Sequence, residues 1–328
     1  MRHYCTLFDR NYAARGLALH RSLLSHCGEF TLHILCLDAP TYNALAALSL
    51  PRVKLLDLGT LESADSALRD ARSDRSPLEF YFTCKPALLG YLLDRVQDMQ
   101  RVDYLDADLA FFSDPAPLEA ECAGSSVALS PHSFSERHSA QRQYGEFNAG
   151  WLSVASDQEG RSFVSWWRER CLEWCRLSVE ETRFGDQKYL DQVPARFSRA
   201  LRVSHPGANL APWNLDKRCI ELTKVGPTVD GRPLVFFHFH GLKRMLFGFY
   251  ESGMHEYGEA LTPAMRKGIY RPYVRELAAC NLLMGRLPPA LRAPFQPARP
   301  ASGEPSLVRR LINTARAVTR QSAVFGAA

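Results

Sequence analysis

The chain has 328 residues, 46% hydrophobic and 23% charged, an ordinary composition for a soluble globular protein with enough apolar material for one large α/β domain or two smaller ones. The formal net charge of +5 is unevenly held: from Asn281 onward there are seven Arg and one acid, Glu304, a net +6, which leaves −1 for everything before it. Basicity confined to a tail argues against a nucleic-acid groove on the main body, and the lack of any run of about 18 apolar residues excludes a membrane-spanning helix.

His3 to Asp9 reads as a first strand that begins almost at Met1, which leaves no room for a signal peptide. The nine cysteines are odd in number and lack Cys-x-x-Cys pairs, so the expected compartment is a reducing cytosol. Asn11 to Gly16 forms a turn into a helix whose apolar face holds Leu17, Leu19, Leu23 and Leu24. Thr31 to Asp38 is a near-continuous apolar strand, Thr41 to Leu50 a short helix, and Val53 to Leu58 a third strand. Alternating strands and helices of this kind predict a mostly parallel sheet flanked by helices. Neither a Gly-x-Gly-x-x-Gly fingerprint nor a Walker phosphate loop follows the first strand.

Asp65 to Pro77 is polar and reads as a surface loop or loose helix. Phe80-Tyr-Phe-Thr-Cys-Lys-Pro86 opens an apolar helix running to about Leu93. Lys85 is expected at its start, either offering charge to a phosphate at a helix N-terminus or simply snorkelling from a partly buried turn. The strand ending at Val102-Asp-Tyr-Leu105 then delivers Asp106 and Asp108. Two acids at i and i+2 lie on one side of an extended backbone and form a clamp of hard oxygens suited to Mg²⁺ or Mn²⁺.

Ala120 to Gln143, with His132 and His138, reads as a long polar loop, and Asn148-Ala-Gly150 as a bend leading into a strand at Leu152–Val154. Ser162 to Leu177 is a helix with a wide aromatic stripe that belongs to the core. Asp186 and Gln187 follow a glycine at an expected helix start. His205 to Asn214 is a loop around Trp213. Leu234 to Lys243 is a hydrophobic strand on which His238 and His240 share a face; one imidazole is a candidate to complete a metal's protein ligands, and Lys243 or Arg244 to hold a phosphate.

Six stretches in this order resemble the GT-A nucleotide-sugar glycosyltransferases, particularly the retaining family 8 group. Asn11-Tyr12-Ala13 is similar to that group's first nucleotide loop, Lys85 to its basic residue ahead of the acidic motif, and Tyr104-Leu-Asp-Ala-Asp108 to its metal motif. Asn148-Ala-Gly150 is similar to the donor-sugar motif, Asp186-Gln187 to the pair near the reacting anomeric carbon, and His238-Phe-His-Gly241 to the His-Phe-x-Gly that supplies a third metal ligand. Where that group continues to Lys-Pro-Trp, this chain has Arg244-Met245-Leu246, with Lys243 one place early.

The resemblance implies an α/β GT-A (Rossmann-like) fold, catalytic residues Asn148, Asp186 and Gln187, nucleotide-sugar contacts from Asn11, Tyr12, Lys85, Asp106, Lys243 and Arg244, and Mn²⁺ or Mg²⁺ on Asp106, Asp108 and His238. It also implies a UDP-sugar donor, a glycan, lipid-linked or polysaccharide acceptor, and retention. The alternatives are a sugar-nucleotide or carbohydrate-binding scaffold without turnover, and a haloacid-dehalogenase-type phosphatase. The latter wants Thr or Val two places after its second Asp, where this chain has Ala110.

The expected organisation is a catalytic domain over 1–280, a Pro-rich linker over 281–305 and a basic tail over 306–328. In the tail Leu307, Val308, Leu311, Ile312, Ala315 and Val318 fall at helical spacing, with Arg309, Arg310, Arg316 and Arg320 largely on the other side. Such a helix suits either an anionic membrane surface on the cytoplasmic face or docking on the body or a partner.

Overall fold

The computed structural model describes residues 1–291 and 307–326, and of Leu307 and Val308 the backbone alone. The chain divides into two compact units: Met1–Asp9, Cys27–Ala107 and Pro115–His205 form the first, and Arg10–His26, Asp108–Asp114 and Pro206–Ala328 the second.

The strands in chain order begin β1 (Arg2–Phe8), β2 (Phe30–Cys36), β3 (Val53–Asp57), β4 (Arg101–Leu105), β5 (Leu109–Phe111), β6 (Val127–Pro131), β7 (Phe147–Ala155) and β8 (Ala200–Arg202). All except β5 make one seven-stranded sheet in the first unit, ordered β3-β2-β1-β4-β7-β6-β8. The β3-β2-β1-β4 half is parallel, β7 runs antiparallel between β4 and β6, and β8 is parallel to β6. Parallel strands covered on both faces need apolar residues throughout, and β2 is buried almost end to end; β7, although antiparallel to its neighbours, is buried along its whole length.

Strand β6 lies inside the stretch expected to be a polar loop. Ser126-Val-Ala-Leu-Ser130 is short and flanked by serines, but all five residues of β6 are buried, and the register against β7 shifts between Leu129 and Ser130. The Asp65–Pro77 segment takes the helical alternative, with one short helix at Ser66–Ala71 followed by a 3₁₀ turn at Arg72–Asp74; another short helix, Leu58–Ala64, precedes it.

Helix Pro77–Arg95 corrects the placement of Lys85. Ser76 and Glu79 form a reciprocal capping box and Pro77 occupies the first turn, so the helix begins eight residues before Lys85, which lies in its buried interior beside Pro86. A proline within an apolar run reads as a helix start; here the helix continues through it. Lys85 therefore has no access to a helix N-terminus. Helix Gln158–Glu173 buries Phe163, Trp166, Trp167 and Cys171, the expected core stripe.

The second unit holds helix Ala13–His26, β5, and strands β9 (Ile220–Thr223), β10 (Gly226–Val229), β11 (Arg232–Pro233), β12 (Phe236–His238), β13 (Lys243–Arg244), β14 (Phe249–Glu251) and β15 (Ala323–Phe325). Strand β12 pairs antiparallel with β5, opposing His238 to Leu109. Helix Arg271–Gly285 extends five residues into the expected linker; residues 292–306, most of that linker, lie outside the described residues. The helix is preceded by a π turn at Arg266–Tyr270, consistent with Pro272, which lacks an N–H to continue the regular ladder.

The basic tail is helical over Leu307–Thr319 and then adds β15 to the edge of β14. Arg266 donates to the Ala323 carbonyl at 2.5 Å and to that of Gln321, and Ser322 Oγ donates to Glu251 at 2.9 Å. Among the described residues no helix is long and apolar enough to cross a membrane.

Candidate active site

In the first unit three motif stretches converge on Lys85. Its Nζ lies 3.1 Å from Asp106 Oδ1 and 3.2 Å from Asp186 Oδ2, donates to the Ala149 carbonyl at 3.3 Å, and faces the rings of Tyr104 and Phe82 at 5.0 and 5.2 Å. Burial favours the neutral amine, but the two carboxylates outweigh it and raise the pKa, so the side chain is a fixed cation. Tyr104 donates its hydroxyl to the same Asp106 oxygen at 2.8 Å.

Asp186 is almost fully buried. Burial raises its pKa, partly offset by Lys85. It directly follows Gly185, whose left-handed φ of 53° and packing against Phe82 suit a residue without a Cβ, and Trp167 Nε1 pins the Asp186 carbonyl at 2.8 Å.

Beside this cluster, Asn148 lies within β7 rather than on a free bend. Its Oδ1 accepts from Gly150 N at 3.0 Å and its Nδ2 donates to Gln187 Oε1 at 3.2 Å. Gln187 Oε1 also accepts from Ala149 N at 3.3 Å, while Gln187 Nε2 donates to the Tyr144 carbonyl at 2.9 Å. The Gln187 oxygen is thus committed to two donors, and the residue acts as a brace. His132, given no role by its sequence context, joins this network: its ring nitrogens lie 3.4 Å from Asn148 Nδ2 and 3.1 Å from the Gly145 carbonyl.

In the second unit Asp108 and His238 meet across paired strands, Asp108 Oδ1 to His238 Nε2 at 3.2 Å. The backbone locks both: Phe239 N donates to the Asp108 carbonyl and His238 N to that of Leu210. Burial alone would raise the Asp108 pKa, but His238, Arg15 and His240 together hold it well below the usual carboxylate range. Trp213 packs edge-on against His238 and His240 at 5.2 and 5.4 Å. Arg15 donates to the Leu242 carbonyl at 2.7 Å and covers the Tyr12 ring at 4.6 Å, while Asn11 is half-buried. Lys243 and Arg244 are both exposed on β13, and Lys243 pairs with Glu256 at 3.0 Å.

No family model matches the sequence. YfnF of Bacillus subtilis is 33% identical over 249 residues, 73% of this chain and 81% of that protein, and YfnD of the same organism is 32% identical over 278 residues, 84% and 88%. The chain belongs to their family. Both members are described as uncharacterized, so the YfnF–YfnD family gives kinship without an activity. Among solved structures, the galactosyltransferase LgtC in complex with donor and acceptor sugar analogues matches at a TM-score of 0.53 and 17% identity, covering 88% of this chain and 99% of its own; an active-site mutant of LgtC matches at 0.52. This likeness gives the chain of the YfnF–YfnD family the GT-A fold, as its motifs implied.

Proposed function

We propose that this chain is a metal-dependent glycosyltransferase that moves a sugar from a nucleotide-sugar, a UDP-sugar in the first instance, to a glycan, lipid-linked or polysaccharide acceptor with retention at the anomeric carbon. The observation that carries the reading is the Asp108–His238 pair: a carboxylate kept ionised against an imidazole on adjoining strands, a donor set that, with the imidazole neutral, suits a divalent cation. Asp106 is separated from Asp108 by Ala107 alone, so covalent geometry keeps their Cα atoms within about 7 Å and makes Asp106 the natural third ligand of Mn²⁺ or Mg²⁺.

The ion supplies charge neutralisation for the departing nucleoside diphosphate. Lys243 or Arg244 binds diphosphate oxygens, and Asn11 and Tyr12 receive the nucleoside. Lys85 does not serve as a phosphate contact in this reading; its ammonium is spent on Asp106 and Asp186 and holds the Asp186 carboxylate in place. Asn148 and Gln187, each fixed by the other, orient the donor hydroxyls. With retention, the acceptor hydroxyl attacks from the leaving-group side and gives its proton to a phosphate oxygen, so no separate base is required.

The test is release of nucleotide from a panel of UDP-, GDP- and CMP-sugars, with and without Mn²⁺, by wild type and Asp108→Ala. Metal-dependent hydrolysis of one donor, lost in the variant, is the expected result. Full activity in Asp108→Ala removes the metal assignment, and donor binding without turnover by wild type favours the scaffold alternative.

The tail extends the proposal to a cytoplasmic membrane face. Helix Leu307–Thr319 buries Thr314 and Ala317 while leaving Leu311, Ile312 and Val318 exposed alongside Arg309, Arg310, Arg316 and Arg320, an apolar stripe with a basic border. Each Arg close to an anionic surface contributes about 1 kcal/mol. Co-sedimentation of the full chain with anionic vesicles, undiminished in an Arg316→Glu/Arg320→Glu variant, would remove this extension.

A further inference from the structure

We propose that His132 is a positioning residue that fixes the orientation of the Asn148 amide and, through it, which groups of Asn148 and Gln187 meet the donor sugar. The inference rests on the transferase reading above and assigns a role to a residue that none of the motif stretches contains.

His132 is the first residue after β6, and its backbone N–H donates to the Glu146 carbonyl at 2.9 Å, so the end of that strand is tied across to the start of β7. The shift of register at Leu129/Ser130 pairs Ser130 with Asn148, which brings the His132 ring beside the Asn148 side chain. The ring is 5% exposed and stacks on Phe134 with centroids 4.6 Å apart and planes 12° from parallel, which leaves it little freedom to turn.

Hydrogen-bond logic then fixes the proton. The Gly145 carbonyl can only accept, so Nδ1, 3.1 Å away, carries the hydrogen in the neutral ring, and Nε2 faces Asn148 as a lone pair. Asn148 answers with Nδ2: one of its hydrogens goes toward His132 Nε2 and the other to Gln187 Oε1, while Oδ1 accepts from Gly150 N. A flipped amide would set its oxygen against two acceptors and its nitrogen against a donor. Of these three constraints, Gly150 N is backbone and Gln187 is anchored by Ala149 N and the Tyr144 carbonyl. His132 completes the set from the other side, a buried and stacked ring that takes the remaining Asn148 hydrogen. The consequence for a ligand is chemical: with its oxygen spent on Asn148 and Ala149 and one amide hydrogen on the Tyr144 carbonyl, Gln187 has its second N–H to offer, so a sugar hydroxyl beside it is bound as an acceptor.

The experiment compares full-length wild type, His132→Leu and His132→Gln. Glutamine keeps an acceptor oxygen at about the reach of Nε2; leucine keeps bulk and loses the acceptor. Donor binding by calorimetry with Mn²⁺ and UDP-sugars, and kcat and KM for nucleotide release, are expected to show roughly a tenfold loss of donor affinity in the leucine variant, on the scale of one hydrogen-bonded group left unpaired, and recovery in the glutamine variant, with thermal melting of both near wild type. In ¹⁵N-histidine-labelled wild type, the ring resonance lost on His132→Gln is expected to be a neutral Nδ1–H tautomer at pH 7.

An Nε2–H tautomer overturns the proposal whatever the variants do, including the case where leucine fails to fold. Equal losses in both variants make His132 a packing residue and also overturn it. Unchanged affinity in the leucine variant overturns it while the transferase reading stands. Absence of donor binding by wild type overturns both.

Discussion

In the first unit the charge on Asp186 and Asp106 is balanced by Lys85, a cation that the two carboxylates keep protonated against the opposing effect of burial. In the second unit Asp108 faces His238 at 3.2 Å, an imidazole rather than a fixed cation. The Lys85–Asp186 contact is closed: an ammonium has three donors and no acceptor, so it cannot be exchanged for a metal without leaving a buried amine unpaired. The Asp108–His238 contact is exchangeable, because a neutral imidazole and a carboxylate are both ligands. Two carboxylate contacts of similar length thus differ in kind, one suited to a scaffold and the other, in the proposed reading, to a receptor.

The strongest test of that contrast is Lys85→Met. It strands a buried carboxylate at Asp186, and unfolding in urea is expected to show a loss of about 3–5 kcal/mol; a loss below about 1 kcal/mol would mean that solvent, not Lys85, balances these acids. Next is His238→Gln, which keeps a hydrogen bond to Asp108 but removes the nitrogen ligand. Mn²⁺ binding is expected to weaken by about 10–100-fold with a stability change near 1 kcal/mol; retention of metal affinity would make the second pair as closed as the first.

A pH comparison sharpens the contrast. Asp108 is held below the ordinary carboxylate range, so its contribution is complete above about pH 4 and is lost only as the pH falls through its depressed value. Asp103, on β4, behaves in the opposite sense. Burial, opposed by Ser153 and Arg101, pushes its pKa up to about 7, against about 3.9 for an unfolded Asp. Between those values the folded chain binds more protons than the unfolded one, so stability is expected to decline as pH rises from about 4 to 7 and then level off. Asp103→Asn should flatten that limb; denaturation curves at pH 5 and 8 that stay parallel to wild type would show that Asp103 is already ionised. The smallest effect is expected from Gly326→Ala, where a Cβ would stand 2.4 Å from Val274 Cγ1. Faster amide exchange at Val324, with global stability little changed, is the predicted signature.

The residues of these two pairs were legible to different degrees. Asp106, Asp108 and His238 announce themselves because strand periodicity and close spacing are local properties that a sequence displays. Lys85 was legible as a residue of interest but not in its role: Pro86 imitates a helix start, and only the capping box at Ser76 and Glu79 reveals where the helix begins. His132 was legible only as part of a polar loop, since its partners lie 13 and 16 residues further on and the strand that places it, β6, is too short and too closely flanked by serines to be recognised. Short edge elements such as β15 fail for the same reason, as three residues carry no period.

The last of these strands has a consequence for the life of the chain in solution. β14 lies between β13 and β15, and with β15 removed one side of it would present unpaired N–H and C=O groups. Residues Ala323–Phe325 therefore cover that edge, and a chain clipped before Ala323 would expose it to solvent.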